Sequence, residues 1–120
     1  MIVYIAGPMM GVPGFNYPAF NAAEDHLRAI GHMPINPARH GVDERARDWT
    51  WVDFMRRTIR DVTNADAIHL LDGWEGSRGA QLEVTIADAL GMPRIGSQMP
   101  RTDAAAKADA PTAPTEEGTK

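Results

Sequence analysis

Ile2-Val3-Tyr4-Ile5-Ala6, stopped by Gly7-Pro8, is the stretch on which the fold turns. Five apolar residues in a row, with no polar alternation, read as a strand covered on both faces, and that pattern belongs to a parallel sheet. Outward from it, Met9 to Asn16 contains Gly11, Pro13 and Gly14 and no helical period, which predicts a loop at the strand's carboxyl end. Pro18 suits a first helical turn. Phe20, Ala23, Leu27 and Ile30 then make one apolar stripe, and Gly31 ends the helix. Met33 to Ile35 reads as a second strand, placed at a sheet edge by Pro34, and Asn36-Pro37 turns the chain into a polar loop reaching Asp48.

Thr50 caps a second predicted helix, in which Trp51, Phe54, Met55, Ile59 and Val62 keep the helical period. Asp53, Arg57 and Asp61 recur every four residues on another side, the pattern of a solvated, salt-bridged face. Ala67 to Leu71 is the third strand and Asp72 to Gly76 a loop. Gly79 to Leu90 is a third helix with its apolar stripe on Leu82, Ile86, Ala89 and Leu90, and Met92 to Ile95 is a short fourth strand.

Alternating strands and helices with right-handed crossovers predict an α/β fold of the flavodoxin or Rossmann kind. It has about four parallel strands in the order 2-1-3-4, with helices on both faces. Ligands of such sheets sit beyond the carboxyl ends of the strands where the order reverses. That brings the loops 7–16 and 72–78 together. Residues 1–97 form the domain; 98–120, rich in Ala, Asp, Lys, Pro, Thr and Glu, are too poor in apolar side chains to offset ordering entropy and read as a disordered tail. Deleting 101–120 is expected to leave the melting temperature unchanged; a loss of many degrees would show that the tail docks.

A net charge of −4 over 120 residues gives no wide basic field for a nucleic-acid polymer, and no 18-residue apolar stretch offers a membrane span. Cysteine is absent, which excludes disulfides, thiolate metal sites and thiol nucleophiles. None of the four histidines has metal-ligand spacing to a second ligand, so no metal and no cofactor is expected. Met1 leads directly into the first strand without a basic leader, which predicts a soluble cytoplasmic protein.

The expected pocket receives Tyr4, the glycine-rich first loop, Ser77, Arg78 and Glu83. Near a helix amino terminus the backbone dipole favours an ionised Glu83, either as a nucleophile or merely as the dipole's complement. Ser77 and Arg78, beside the N–H groups that open the third helix, form an anion site or simply a helix cap. Tyr4 is either core or a partner of the site. Trp49, Trp51 and Trp74 offer flat surfaces for a base, although Trp51 also lies on the packing stripe.

Tyr4-Ile5-Ala6-Gly7-Pro8-Met9-Met10-Gly11, Asn36-Pro37, Phe54-Met55-Arg56-Arg57, and Ala65-Asp66-Ala67 followed by Gly73-Trp74-Glu75 and Gly76-Ser77-Arg78-Gly79-Ala80-Gln81-Leu82-Glu83 together resemble the DUF4406 family. That family looks like a compact branch of the nucleoside 2-deoxyribosyltransferase-like superfamily, which includes the 2′-deoxynucleoside 5′-phosphate N-hydrolases. The resemblance covers residues 2–96. It implies cleavage of the bond between base and deoxyribose, with Glu83 as nucleophile, Tyr4 near its carboxylate, and Ser77 with Arg78 on the phosphate or sugar. Gly7, Pro8, Met9 and Gly11 line the substrate. The implied partner is a small nucleoside or nucleotide, and the implied assembly a homo-oligomer that lends a polar residue to the neighbouring site; Ser97 is the nearest match for that residue. Eight residues before Asp66, where cleaving members carry an aspartate, this chain has Thr58, which cannot act as an acid. The alternative expectation is therefore a non-catalytic nucleotide-binding or sensor module, of a phage accessory type, that keeps the pocket without the acid.

Overall fold

The computed structural model describes residues 1–42 and 48–96; the fourth-strand region is included up to Gly96, and Ser97 and the tail lie outside the described residues. The strands are β1 (Ile2–Ala6), β2 (Met33–Ile35) and β3 (Ala67–Leu70), and the helices α1 (Tyr17–Ala29), α2 (Trp51–Asn64) and α3 (Arg78–Ala89). They form a three-stranded parallel sheet in the order β2-β1-β3, with Ile2 opposite Met33 and Tyr4 opposite Ile68. Pro34, which lacks an N–H, sits on the edge strand as its sequence requires.

Alternation along β1 assigns the two faces. Val3 and Ile5 pack with Phe20, Ala23 and Leu27 of α1, whereas Tyr4 and Ala6 pack with Val62 of α2 and with Val84 and Ala87 of α3. Helices therefore cover both sides of the sheet. Val3 through Ala6 are all fully buried, as a central strand demands.

The expected fourth strand is not formed. Beyond α3 a single parallel bridge joins Arg94 to Ile68, made by the Ile68 N–H on the Pro93 carbonyl and the Ile95 N–H on the Ile68 carbonyl. Pro93 contributes no N–H, and Gly91 and Gly96 take positive φ on either side, so the run is too short to ladder.

The helix faces also differ from the periodicity in three places. In α3 the buried side chains are Ala80, Glu83, Val84 and Ala87, while Leu82 and Leu90 are exposed. Small residues let the helix approach the sheet closely, and Glu83 is drawn inward by a hydrogen bond described below. In α2 the inward residues are Met55, Thr58, Asp61 and Val62. Asp61 is thus not part of a solvated face. Its carboxylate lies 2.8 Å from His40 Nε2 and 3.5 Å from Arg57 Nε. Ile30 of the α1 stripe is exposed because it falls on the helix's final cap.

The chain leaving β2 is pinned to α1 by a buried carboxylate. Glu24 accepts from Arg39 Nη2 at 2.5 Å, Arg39 Nε at 3.0 Å and Asn36 Nδ2 at 3.0 Å, and Asn36 Oδ1 accepts from the Ala38 N–H at 2.9 Å. The Arg39 hydrogen bonds, supported by Asn36 and Arg28, hold the Glu24 carboxyl at about 2 against the opposing effect of burial. Glu24→Ala leaves the buried Asn36 amide with one acceptor fewer, so a loss of about 1–3 kcal/mol is expected in urea unfolding at pH 7. A depressed carboxyl contributes above about 4.5 and fades as pH falls toward 2. The gap between parent and variant should therefore narrow at pH 3.

Candidate active site

Two loops meet at the carboxyl end of the sheet, as the topology predicts. The first, 7–16, leaves β1 and the second, 72–78, leaves β3. The Leu71 N–H donates to the Ala6 carbonyl at 2.9 Å. A Cβ on Gly7 would stand 2.6 Å from Leu71 Cβ, and one on Gly73 would stand 3.5 Å from Pro8 Cγ. Gly7 is therefore a contact glycine: only a bare Cα lets the loop exit against Leu71. The Pro8 carbonyl accepts from Asn16 Nδ2 at 2.9 Å, closing the loop on itself. Met9 packs on the α1 side of the core, while Gly11 is exposed at φ 80°. Phe15 and Asn16 both adopt left-handed backbone, which is uncommon for side-chain-bearing residues.

Beneath these loops lies the polar centre of the molecule. Tyr4 Oη donates to Glu83 Oε2 at 2.7 Å, with both side chains buried. β1 supplies the tyrosine and the second turn of α3 the glutamate. Thr58 of α2 is fully buried, lies within hydrogen-bonding reach of both, and donates to the Met55 carbonyl at 3.3 Å. Burial pushes the Glu83 carboxyl up to about 7, opposed first by the hydrogen bond from Tyr4 and then by the neighbouring Thr58 hydroxyl, and reinforced by the Asp61 charge. Burial first, and then the Glu83 carboxylate, push the Tyr4 hydroxyl well above its ordinary value, so it stays a donor.

Ser77 is the N-cap of α3, its Oγ accepting the Ala80 N–H at 3.2 Å, and the hydroxyl proton is left to donate elsewhere. The Arg78 guanidinium lies 4.0 Å over the Trp51 ring, at the mouth of the same helix. Gly79 completes the turn without a side chain, because a Cβ there would approach Met55 Sδ to 3.1 Å. Asp53 is spent on a capping box with Thr50. It also lines, with Trp49, Arg56, Arg57 and Arg60, a cavity of about 390 Å³ on the outer side of α2.

Tyr4 and Glu83 are thus brought into direct contact, with Ser77 and Arg78 at the start of the same helix. The sequence reading missed Asp61 and His40. Asp61 follows Thr58 by three positions and so shares its side of α2, a signal outweighed by the fourfold charge spacing. Among the described residues, no three His, Cys, Asp or Glu side chains converge to hold a metal ion, and no helix is long and apolar enough to cross a membrane.

The family model described as a domain of unknown function, DUF4406, matches residues 1–95, the whole of the sheet, the helices and the buried pair. The chain belongs to the DUF4406 family. A search of curated proteins finds no match. The matched residues include every candidate residue other than Ser97.

Proposed function

We propose that this DUF4406 protein is a deoxyribosyl N-glycosidase or transferase, acting on a small nucleoside or nucleotide with Glu83 as nucleophile. The observation that carries this reading is the buried Tyr4–Glu83 pair at 2.7 Å, beside the loops where a doubly wound sheet places its ligands. A carboxylate held out of water and oriented by one hydroxyl is suited to trapping an oxocarbenium-like sugar. The C1′–N bond breaks with its electron pair going to the base, a Glu83 oxygen bonds to C1′, and water or a second base later cleaves the ester. Tyr4 orients the carboxylate. Gly7, Pro8, Met9 and Gly11 wall the sugar, and Ser77 and Arg78 with the α3 amino terminus hold the 5′-phosphate. Kinship with the nucleoside 2-deoxyribosyltransferase-like superfamily belongs to this reading and rests on the same residues. A second copy of the chain is its proposed partner, supported by the exposed Leu82 and Leu90 on α3.

The test is incubation with deoxynucleosides and their 5′-monophosphates, followed by chromatography for free base. Release of base supports the reading; binding without release from any of them replaces it with the nucleotide sensor, which Thr58 at the centre of the polar cluster favours. A ligand of the native state raises its melting temperature. A deoxynucleotide should raise it more than the matching nucleoside, and alanine at both Ser77 and Arg78 should remove the difference. Equal shifts in the parent protein would place the phosphate elsewhere.

A further inference from the structure

We infer that the outer side of α2 carries a second binding site, separate from the Tyr4–Glu83 centre, for a small phosphate ester bearing a planar ring, the chemistry of a nucleoside monophosphate. The inference does not depend on the glycosidase reading. Trp49, Asp53, Arg56, Arg57 and Arg60 line a cavity there of about 390 Å³, a volume that suits one small molecule.

The charges of the lining select an anion. A chain of net charge −4 places three of its twelve lysines and arginines between positions 56 and 60 of one helix. Arg56 and Arg60 stand four apart, so they share a side of α2, where like charges repel and weaken the helix. Both are exposed, and neither forms an ion pair among the described residues. Arg57 is engaged only through Nε, 3.5 Å from Asp61 Oδ1, and its side chain is half-exposed. The one carboxylate of the lining, Asp53, already accepts the Thr50 N–H at 3.0 Å in the capping box. The lining therefore carries a net charge of +2, and a phosphate monoester carries about −1.5 to −2 at pH 7. Guanidinium N–H pairs match phosphate oxygens, so an anion held across Arg56 and Arg60 replaces their repulsion with charge-assisted hydrogen bonds.

Trp49 supplies the second element of recognition. It lines the same cavity while half-buried, with the Phe54 ring edge-on at 6.4 Å between centroids and the His40 ring at 6.2 Å. An indole braced by two rings has little freedom left to lose on binding, and beside guanidiniums it offers a planar base a stacking surface. The negative charge of the chain as a whole opposes a long polyanion away from this patch, which favours a single small anion over a nucleic-acid strand.

The chain's tryptophans allow the two sites to be told apart. Trp49 lines the cavity, whereas Trp51 lies under Arg78 at the start of α3. Adenosine and uridine 5′-monophosphates are titrated into isotope-labelled full-length protein while the indole N–H signals are followed, Trp49 being assigned with Trp49→Phe. The Trp49 signal is expected to shift saturably, with a dissociation constant of about 1 mM or tighter. Arg56→Gln combined with Arg60→Gln, both on exposed positions, should weaken that binding about 10²-fold and leave any response of Trp51 unchanged. In calorimetry, Trp49→Leu should weaken the nucleotides about tenfold and ribose 5-phosphate hardly at all. No saturable shift of Trp49 with either nucleotide overturns the inference, as does a shift that survives the double arginine substitution. A response of Trp51 alone places the nucleotide at the α3 amino terminus and overturns it too. Inorganic phosphate binding as tightly as the nucleotides would remove the planar ring from the ligand and overturn the assignment to a nucleoside monophosphate.

Discussion

Glu83→Gln is expected to lower base release by roughly 10³-fold or more while leaving the fold and nucleotide binding intact. The amide has the shape of the carboxylate, and its oxygen still accepts from the Tyr4 hydroxyl, which donates at 2.7 Å in the parent. It is a very poor nucleophile, so binding and chemistry separate. The pH dependence of the parent follows from the same carboxyl. Only the ionised form attacks, and burial holds it at about 7, so kcat/KM should climb as pH rises through that value. Free base measured by chromatography, with circular dichroism to check the fold, decides the matter. A variant as active as the parent would remove Glu83 from the chemistry. Retained binding with no release from parent or variant would leave the sensor reading.

What the sequence made legible was decided locally. An unbroken apolar run such as Ile2 to Ala6 has one low-energy place, the centre of a sheet, and Thr50 with Asp53 carries its own helix start in the side chains that form the capping box. Contacts distant in sequence were harder to read. Asp61 is drawn inward by His40, twenty-one residues earlier on a turn fixed by Glu24, and nothing in the spacing of α2 announces a partner there. Leu82 and Leu90 outrank Ala80 and Ala87 on any hydrophobic scale, yet the close approach of α3 to the sheet selects the small residues and turns the leucines outward. Glu83 lies among those small residues because Tyr4 supplies its hydrogen bond, a pairing that spans 79 positions.

Glu83→Gln is also expected to make the domain more stable, and increasingly so as pH rises. A carboxyl raised above 4.5 by folding binds its proton more tightly in the folded than in the unfolded chain. The folded state therefore carries no penalty below about 4.5, acquires one as pH rises from there, and carries all of it above about 7. The displacement corresponds to about 3 kcal/mol at pH 8. For a domain of this size, that is on the order of 10–20 °C in melting temperature. Glutamine cannot ionise and escapes the penalty, so the variant should melt above the parent at pH 8 and near it at pH 4.5. Glu24 titrates with the opposite sign and in a lower window, between about 4.5 and 2, so it does not blur the comparison. A difference that stayed constant from pH 4.5 to 8 would show that Glu83 does not carry a buried charge at neutral pH. In that case the attacking carboxylate would have to be sought in a wetter part of the site. Tyr4→Phe moves the same quantity the other way: without the hydroxyl, one hydrogen bond that favours the ionised carboxylate is lost, and the variant's decline in stability with rising pH should begin at the same pH as the parent's but run deeper.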